Sequence, residues 1–275
     1  MVYDQRSALS SHIASLLSAG EIVFTSKEVE QVLGLGRGAF LDAAERLQRR
    51  KALIRPRQGL YVAVPPQFAS WGAPPPSWYI DALMRHEQQP YYVGLLKAAE
   101  LHGATHQAVM EFQIITGKRM PKIKAGRNLI VFYFRKDVAA VEAGIEDRKT
   151  DTGRMKISSP ALTALDLLRY PQAAGGIDNV ATVLTDLAEK ISPAQLAVLS
   201  DAAERSVVQR LGHLLDRLEH ADLAEPMHAA LMARGAPPWT ELDRQEVRDP
   251  DFTPEPRERD ERWHVIVRRS PEVDE

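Results

Sequence analysis

The chain has 275 residues, which favours two domains over one, and its 44% hydrophobic and 26% charged residues exclude a wholly disordered, collagen-like or coiled-coil protein. Because the sequence contains no cysteine, disulfides, thiolate zinc sites, iron–sulfur clusters and cysteine nucleophiles are also excluded. The net charge of −2 is distributed unevenly, with +3 in residues 1–76, +4 in residues 77–157 and −9 in residues 158–275, so the front of the chain is expected to face a polyanion.

The first part of the chain predicts two short helices. Apolar residues recur at helical spacing over residues 5–18. Thr25 or Ser26 can cap a second helix, which runs as far as the glycine-containing turn at residues 34–36.

A third helix and a hairpin complete this region. The helix is expected from Arg37 to about Lys51, and its buried face consists of Phe40, Ala43, Ala44 and Leu47. Two strands follow at residues 52–55 and 60–64, joined by turn residues. Three helices followed by a hairpin are typical of a winged helix-turn-helix, in which the third helix enters the major groove of DNA. We therefore predict a DNA-binding domain over residues 1–64.

The third helix and the hairpin carry the residues that we expect to contact DNA. Six basic residues and no acidic one lie between Arg46 and Arg57, and phosphate contacts from such residues supply most of the affinity for DNA. Arg37 is the candidate for base reading, with Leu41 and Asp42 nearby. The candidates for phosphate contacts are Arg46, Arg49, Arg50, Lys51, Arg55 and Arg57. A basic run at a helix C-terminus is also favoured by the helix dipole alone, and a small three-helix unit can be a protein-docking module instead.

Residues 65–76 are rich in proline and predict a linker, and residues 77–275 predict a larger domain of mixed helices and strands. Strands are expected at residues 109–116, 129–134 and 154–157, with helices at 77–86, 91–103, 159–171, 178–190, 193–200, 203–218 and 226–233. A closing strand at residues 263–267 is expected to join the sheet of this domain.

A second basic segment lies between two predicted strands of the larger domain. Its five cations are Lys118, Arg119, Lys122, Lys124 and Arg127, with no acidic residue among them. Such a segment is most often a solvated hairpin tip. Attached to a DNA-binding domain, it is also a candidate for a second phosphate contact.

The sequence offers no catalytic, metal or cofactor site. The glycines at 34, 36 and 38 follow a helix rather than a strand, which indicates a turn and not a phosphate-binding loop. His102 and His106 are four residues apart, but Gly103 interrupts the helix that would align them. A metal-dependent nuclease needs an acid-x-Lys strand, and residues 146–149 are expected in a loop. We therefore predict no enzyme activity, no metal and no cofactor.

The start of the chain has no basic segment followed by an apolar run, so no secretory signal is expected. The uncharged stretch at residues 58–80 contains five prolines, which argues against a membrane span. We expect a cytoplasmic protein.

Five runs stand out in the larger domain: YYVGLLKAAELHGA at 91–104, FQI at 112–114, SSPALTALDL at 158–167, GGIDNVATVL at 175–184 and RWHVIV at 262–267. Together they resemble the AbiEi family of antitoxins from type IV toxin–antitoxin, or abortive-infection, systems. The resemblance implies an α+β protein with an N-terminal winged helix-turn-helix and a larger mixed α/β antitoxin domain. It also implies repression of its own operon and neutralisation of a nucleotidyltransferase-type toxin encoded beside it, without a stable complex between the two.

The expected partners are double-stranded operator DNA, bound by two copies as an inverted repeat, and the toxin. Two alternatives stay open at this point. One is a metal-dependent nuclease fused to a winged helix, and the other is a repressor whose larger domain senses a small molecule in an apolar, closed pocket.

Overall fold

The computed structural model describes residues 5–105, 108–245, 249 and 253–273. Contacts divide the chain into two compact units. Unit one comprises residues up to 92 together with residues 110–136 and 147–156; unit two comprises residues 93–109, 137–146 and 157 onward. This division into compact units does not test the predicted domain boundaries at residues 64 and 76, which stay a prediction.

Unit one begins with three helices and a small sheet. These elements are α1 (Gln5–Ser18), β1 (Val23–Thr25), α2 (Ser26–Leu33), α3 (Arg37–Arg49), β2 (Leu53–Arg57) and β3 (Leu60–Ala63). The strands form an antiparallel sheet in the order β1-β3-β2. The predicted helices and hairpin are confirmed, whereas β1 was not predicted. The helix α3 ends at Arg49 rather than at Lys51, whose backbone is left-handed with a φ of 57°.

The start of α2 shows how local chemistry sets these boundaries. The hydroxyl of Thr25 accepts a hydrogen bond from the backbone N–H of Glu28 at 3.3 Å, and the N–H of Thr25 donates to the Glu28 carboxylate at 2.7 Å. This reciprocal capping box satisfies two backbone donors that the helix itself leaves unpaired. At the other end, Gly34 adopts a left-handed conformation and stops the helix.

The core of this region is centred on Tyr61. The ring of Phe24 stacks on Tyr61 with centroids 5.8 Å apart, and the ring of Phe40 meets Tyr61 edge-on at 5.2 Å. The predicted inner face of α3 is buried except for Leu47, which is half-buried. Burial of this face orients α3 and leaves its other side to solvent.

A larger sheet supplies most of the remaining part of unit one. After α4 (Ile80–His86), its strands are β4 (Tyr91–Val93), β5 (Glu111–Thr116), β6 (Ile123–Ala125), β7 (Asn128–Phe134), β8 (Ile145–Thr150) and β9 (Gly153–Ser158). Their order in the sheet is β6-β7-β5-β4-β9-β8. The strands β6 and β8 were not predicted, and the predicted loop at residues 146–149 is wrong because these residues lie within β8.

The proline-rich segment at residues 65–76 is packed against this sheet. The Nδ2 of Asn128 donates to the carbonyl of Pro74 at 2.9 Å, and the backbone N–H of Arg127 donates to the carbonyl of Trp71 at 3.0 Å. Gly126 lies so close to the backbone of Trp71 and Gly72 that an added Cβ would overlap it. The segment predicted as a linker is therefore in direct backbone contact with the β6–β7 turn.

Unit two is mostly helical. Its helices are α5 (Leu95–Leu101), α6 (Pro160–Arg169), α7 (Ile177–Ala188), α8 (Pro193–Ala202), α9 (Arg205–Arg217) and α10 (Ala221–Ala233), and its strands are β10 (Thr240–Glu241), β11 (Glu258–Asp260) and β12 (Val265–Val267). Most of these helices are confirmed as predicted. The predicted helix over residues 91–103 is instead the strand β4 followed by α5, and α10 begins five residues before the predicted Pro226, which lies inside it.

The C-terminal strands form a sheet of their own in the order β10-β12-β11. The prediction that residues 263–267 join the large sheet is therefore wrong. Trp263, two residues before β12, anchors this strand to α9: the side chain is fully buried, and its indole N–H donates to Asp216 at 2.6 Å. The ring lies directly on the backbone of Gly212, which leaves no room for a side chain there.

The predicted fold class is confirmed: an N-terminal winged helix-turn-helix region precedes a larger mixed α/β region. Among the described residues, the helices are too short or too polar to traverse a lipid bilayer.

Candidate nucleic-acid interface

The solvent side of α3 carries most of the predicted DNA contacts. Arg37, Asp42, Arg46 and Arg49 are exposed, and Leu41 is 40% exposed. Because successive residues of a helix are rotated by about 100°, Arg46 lies on the opposite flank of α3 from Arg37. The predicted residues are therefore spread over the whole outer surface of the helix.

This surface is not uniformly basic. Glu45 is exposed beside Asp42, and the Arg49 guanidinium donates to the Glu45 carboxylate at 2.6 Å. Both side chains of this i,i+4 pair are largely exposed, so water and a competing phosphate can replace the contact at little cost. Arg50 and Lys51 follow at the exposed C-terminal end of the helix.

A cleft of about 570 Å³ lies between α3 and β2 within unit one. Lys27, Arg37 and Arg55 line it, and Glu30 is the acidic residue beside them. Arg37 is the first residue of α3, so the N-terminus of that helix also borders the cleft. Three cations and the positive end of a helix dipole together favour an anion in this cleft.

Among the residues that line the cleft, the sequence analysis named only Arg37, Leu41 and Arg55 as DNA contacts, and it missed two cationic or titratable ones, Lys27 and His86. Lys27 is the second residue of α2, and its place beside the cap of a helix in a helix-turn-helix pattern could have identified it. His86 is the last residue of α4 and also lines the cleft. No local signal connects His86 with a site formed mainly by residues 25–61.

Arg57 is placed differently from the other predicted residues. Only 17% of its side chain is exposed. Its Nε lies 3.3 Å from the Glu87 carboxylate, and one of its terminal nitrogens donates to the carbonyl of Pro121 at 2.8 Å. The guanidinium also lies 5.6 Å from the centre of the Phe132 ring.

The second basic segment adjoins the hairpin. All five of its cations are exposed, and Arg119 lies over the Phe134 ring at 4.9 Å. Lys124 on β6 lines the same recess of about 250 Å³ as Arg55 and Pro56 on β2. The two basic segments, far apart in sequence, are thus neighbours within unit one.

The two alternative functions, a metal-dependent nuclease and a ligand-sensing repressor, have less support in the structure. Placing residues 146–149 in β8 puts Asp147 and Lys149 on a strand, but no group of three or more His, Asp or Glu residues in the described parts of the chain is arranged to hold a metal ion. His106 lies outside the described residues. A second cavity in unit one, of about 440 Å³, is lined by six charged or titratable side chains, Glu21, Glu28, Asp81, Arg85, His86 and Arg154, and is not the apolar pocket that a ligand-sensing repressor requires.

Comparison with known proteins identifies the larger region. Residues 92–217 match the family model described as the AbiEi antitoxin C-terminal domain. The crystal structure of the Rv2827c protein from Mycobacterium tuberculosis superposes with a TM-score of 0.66 at 19% sequence identity, covering 95% of this chain and 91% of that chain. At this identity the match shows a common fold. None of the curated proteins matches the chain. The predicted AbiEi resemblance is confirmed over residues 92–217.

Proposed function

We propose, from the AbiEi antitoxin C-terminal domain in residues 92–217, that this protein is the antitoxin of a type IV toxin–antitoxin system and also represses its own operon. The toxin is of the nucleotidyltransferase type and is encoded by the neighbouring gene. The chain counteracts it without catalysis, and the proposal requires no stable complex between the two proteins.

The cleft between α3 and β2 is the observation that carries the DNA-binding part of the proposal. Arg37 and Arg55 line it from the two elements that a winged helix-turn-helix directs toward DNA. Arg37 reads a base from the first turn of α3, with Leu41 and Asp42 beside it. Arg46, Arg49, Arg50, Lys51 and Arg55 contact phosphates.

The second basic segment extends this surface. Lys124 lies next to Arg55, and Lys118, Arg119, Lys122 and Arg127 are exposed on the same segment. We propose that these cations bind backbone phosphates beyond the site contacted by α3. A single winged helix reads only a few base pairs, so two copies bind an inverted repeat.

Binding of purified protein to its own promoter DNA, followed by fluorescence anisotropy over a range of salt concentrations, tests this interface. Arg55→Gln should weaken binding and reduce the slope of log K against log salt by about 1, because it removes one phosphate-neutralising charge. Arg37→Gln should weaken binding and relax the preference for one base pair of the operator, because it removes the base-reading side chain. The matched control is Lys149→Gln on β8, at the opposite edge of the large sheet from β6. Equal effects of all three substitutions would contradict the proposed interface.

Co-expression with the neighbouring gene tests the antitoxin role. The variant carrying both Arg37→Gln and Arg55→Gln should still rescue growth from the toxin, because these residues lie outside the AbiEi domain. Promoter activity should rise in the same cells. Full-length wild-type protein that fails to rescue growth would refute the antitoxin role, whatever its affinity for DNA.

A further inference from the structure

The tip of the hairpin is held in place by several contacts from outside it. Arg57 forms an ion pair with Glu87 and donates a hydrogen bond to the carbonyl of Pro121. The Nε2 of His86 lies 3.0 Å from the carbonyl oxygen of Gln58, the next residue of the turn. The carbonyl of Gly59 accepts from the backbone N–H of Ser26 at 2.9 Å. Three successive residues at the hairpin tip are thus held by residues 86 and 87 at the end of α4, by Pro121 and by the start of α2.

This arrangement conflicts with a phosphate contact from Arg57. To reach DNA, its guanidinium would have to leave Glu87 and Pro121 together. Both side chains of the ion pair are about four-fifths buried, at 17% and 20% exposure, so the pair is less screened than one on the open surface. Departure of Arg57 would also leave the Glu87 carboxylate unpaired beside the phosphates of the duplex, where repulsion adds to the cost.

We propose that Arg57, Glu87 and His86 form a clamp that fixes the hairpin so that Arg55 faces the cleft. In this arrangement Arg57 is a positioning residue and not a DNA contact. Arg55, two residues earlier on β2, is exposed and lines the cleft. The clamp rests on the proposed DNA-binding function, since its role is to hold Arg55 where a phosphate meets it.

The clamp predicts that Glu87→Gln changes the affinity for DNA in the direction opposite to the one expected from charge alone. Removing a negative charge near a DNA-binding surface ordinarily strengthens binding, because it reduces repulsion of the phosphates. If Glu87 holds Arg57 and thereby the hairpin, Glu87→Gln should instead weaken binding. Arg57 as a DNA contact and Arg57 as a positioning residue thus predict opposite changes in DNA affinity for Glu87→Gln.

The test compares Arg57→Gln, Glu87→Gln and the double variant in promoter binding and in hydrogen exchange, each as full-length protein. We expect each single variant to bind about fivefold more weakly, the value of one ion pair, and the double variant to be no weaker than either. The slope of log K against log salt should stay at the wild-type value in all three, whereas Arg55→Gln lowers it. Backbone amides of residues 53–63 should exchange faster in each clamp variant without DNA.

Three results would overturn the clamp. They are tighter or unchanged binding by Glu87→Gln, a slope reduced by about 1 in Arg57→Gln, or hydrogen exchange at residues 53–63 that equals the wild-type rate. If Arg57→Gln does not fold, Glu87→Gln decides the matter through the same readouts. Wild-type protein that does not bind promoter DNA would refute the proposed function, while the exchange rates of the two single variants would still report on the clamp.

Discussion

Replacing Gly212 by alanine should destabilise the protein even though alanine is the better helix former. Gly212 lies in the middle of α9, where the change gains about 1 kcal/mol of helix propensity. The added Cβ, however, would come closer than 3.0 Å to three atoms of the Trp263 ring. The sign of the result therefore depends on what it costs the ring to move.

Trp263 has little freedom to move. It is fully buried, its indole N–H donates to Asp216 at 2.6 Å, and its backbone N–H donates to Asp260 at 3.0 Å. Expelling the ring would expose about 200 Å² of apolar surface at a cost of about 5 kcal/mol. Keeping it in an overpacked site costs about 3 kcal/mol, the upper part of the usual range. Overpacking is the less costly outcome, so the net loss in the free energy of unfolding is about 2 kcal/mol after the propensity gain.

Urea unfolding followed by circular dichroism measures this free energy. Gly38→Ala is the matched control, because Gly38 lies in α3 and an added Cβ there meets nothing within 4 Å. It should raise the free energy of unfolding by up to about 1 kcal/mol, opposite in sign to Gly212→Ala. A Gly212→Ala protein as stable as the wild type would refute the argument that Trp263 is fixed on α9.

Two further predictions concern other contacts of the fold. Thr25→Ala should lower the free energy of unfolding by about 1 kcal/mol through loss of the capping box, whereas Thr25→Ser keeps the hydroxyl and should cost much less; equal losses would argue against the cap. Hydrogen bonds from Arg269 hold the pKa of Asp178 below its ordinary value of 3.8, so this carboxylate stabilises the fold above that pH and the contribution is lost as the pH falls through the lowered pKa. The difference in urea midpoint between wild type and Asp178→Asn should therefore be smaller near pH 3 than at neutral pH. The exposed Asp201→Asn serves as the control. A difference between wild type and Asp178→Asn that stays constant with pH would contradict this.

The sequence predicts the helices of this protein better than its strands. The limits of α1 and the capped start of α6 are readable because apolar spacing and caps are local signals. The strand β1 has no such signal, since its partner β3 is distant in sequence. The strands β6 and β8 lie next to their partners in sequence, but β6 has only three residues and β8 (IEDRKT) is mostly charged, so neither shows the apolar pattern of a strand. The tyrosines and valine of β4 were assigned to a helix because a helical pattern follows them directly.

The candidate interface shows the same limit. Exposure of Arg46 and Arg49 follows from the period of α3, which puts Phe40 on the buried face, and Arg37 is exposed at the start of the helix. The environment of Arg57 does not, because its partners are Glu87 and Pro121, 30 and 64 residues away. Basic residues on a hairpin look alike in a sequence, and only tertiary contacts distinguish one that faces solvent from one that holds the hairpin.

The close backbone approach at Gly126 bears on the proposed binding of two copies to one operator. Since residues 71–73 lie against the β6–β7 turn without room for a Cβ, this stretch cannot act as a swivel for the reading helix. If two copies bind one inverted repeat as proposed, we therefore expect each to present its helix at a fixed angle around the duplex. Lengthening the spacer by about five base pairs, half a turn of B-DNA, would put the half-sites on opposite sides of the helix axis and abolish joint occupancy. An insertion of a full turn would restore the phase.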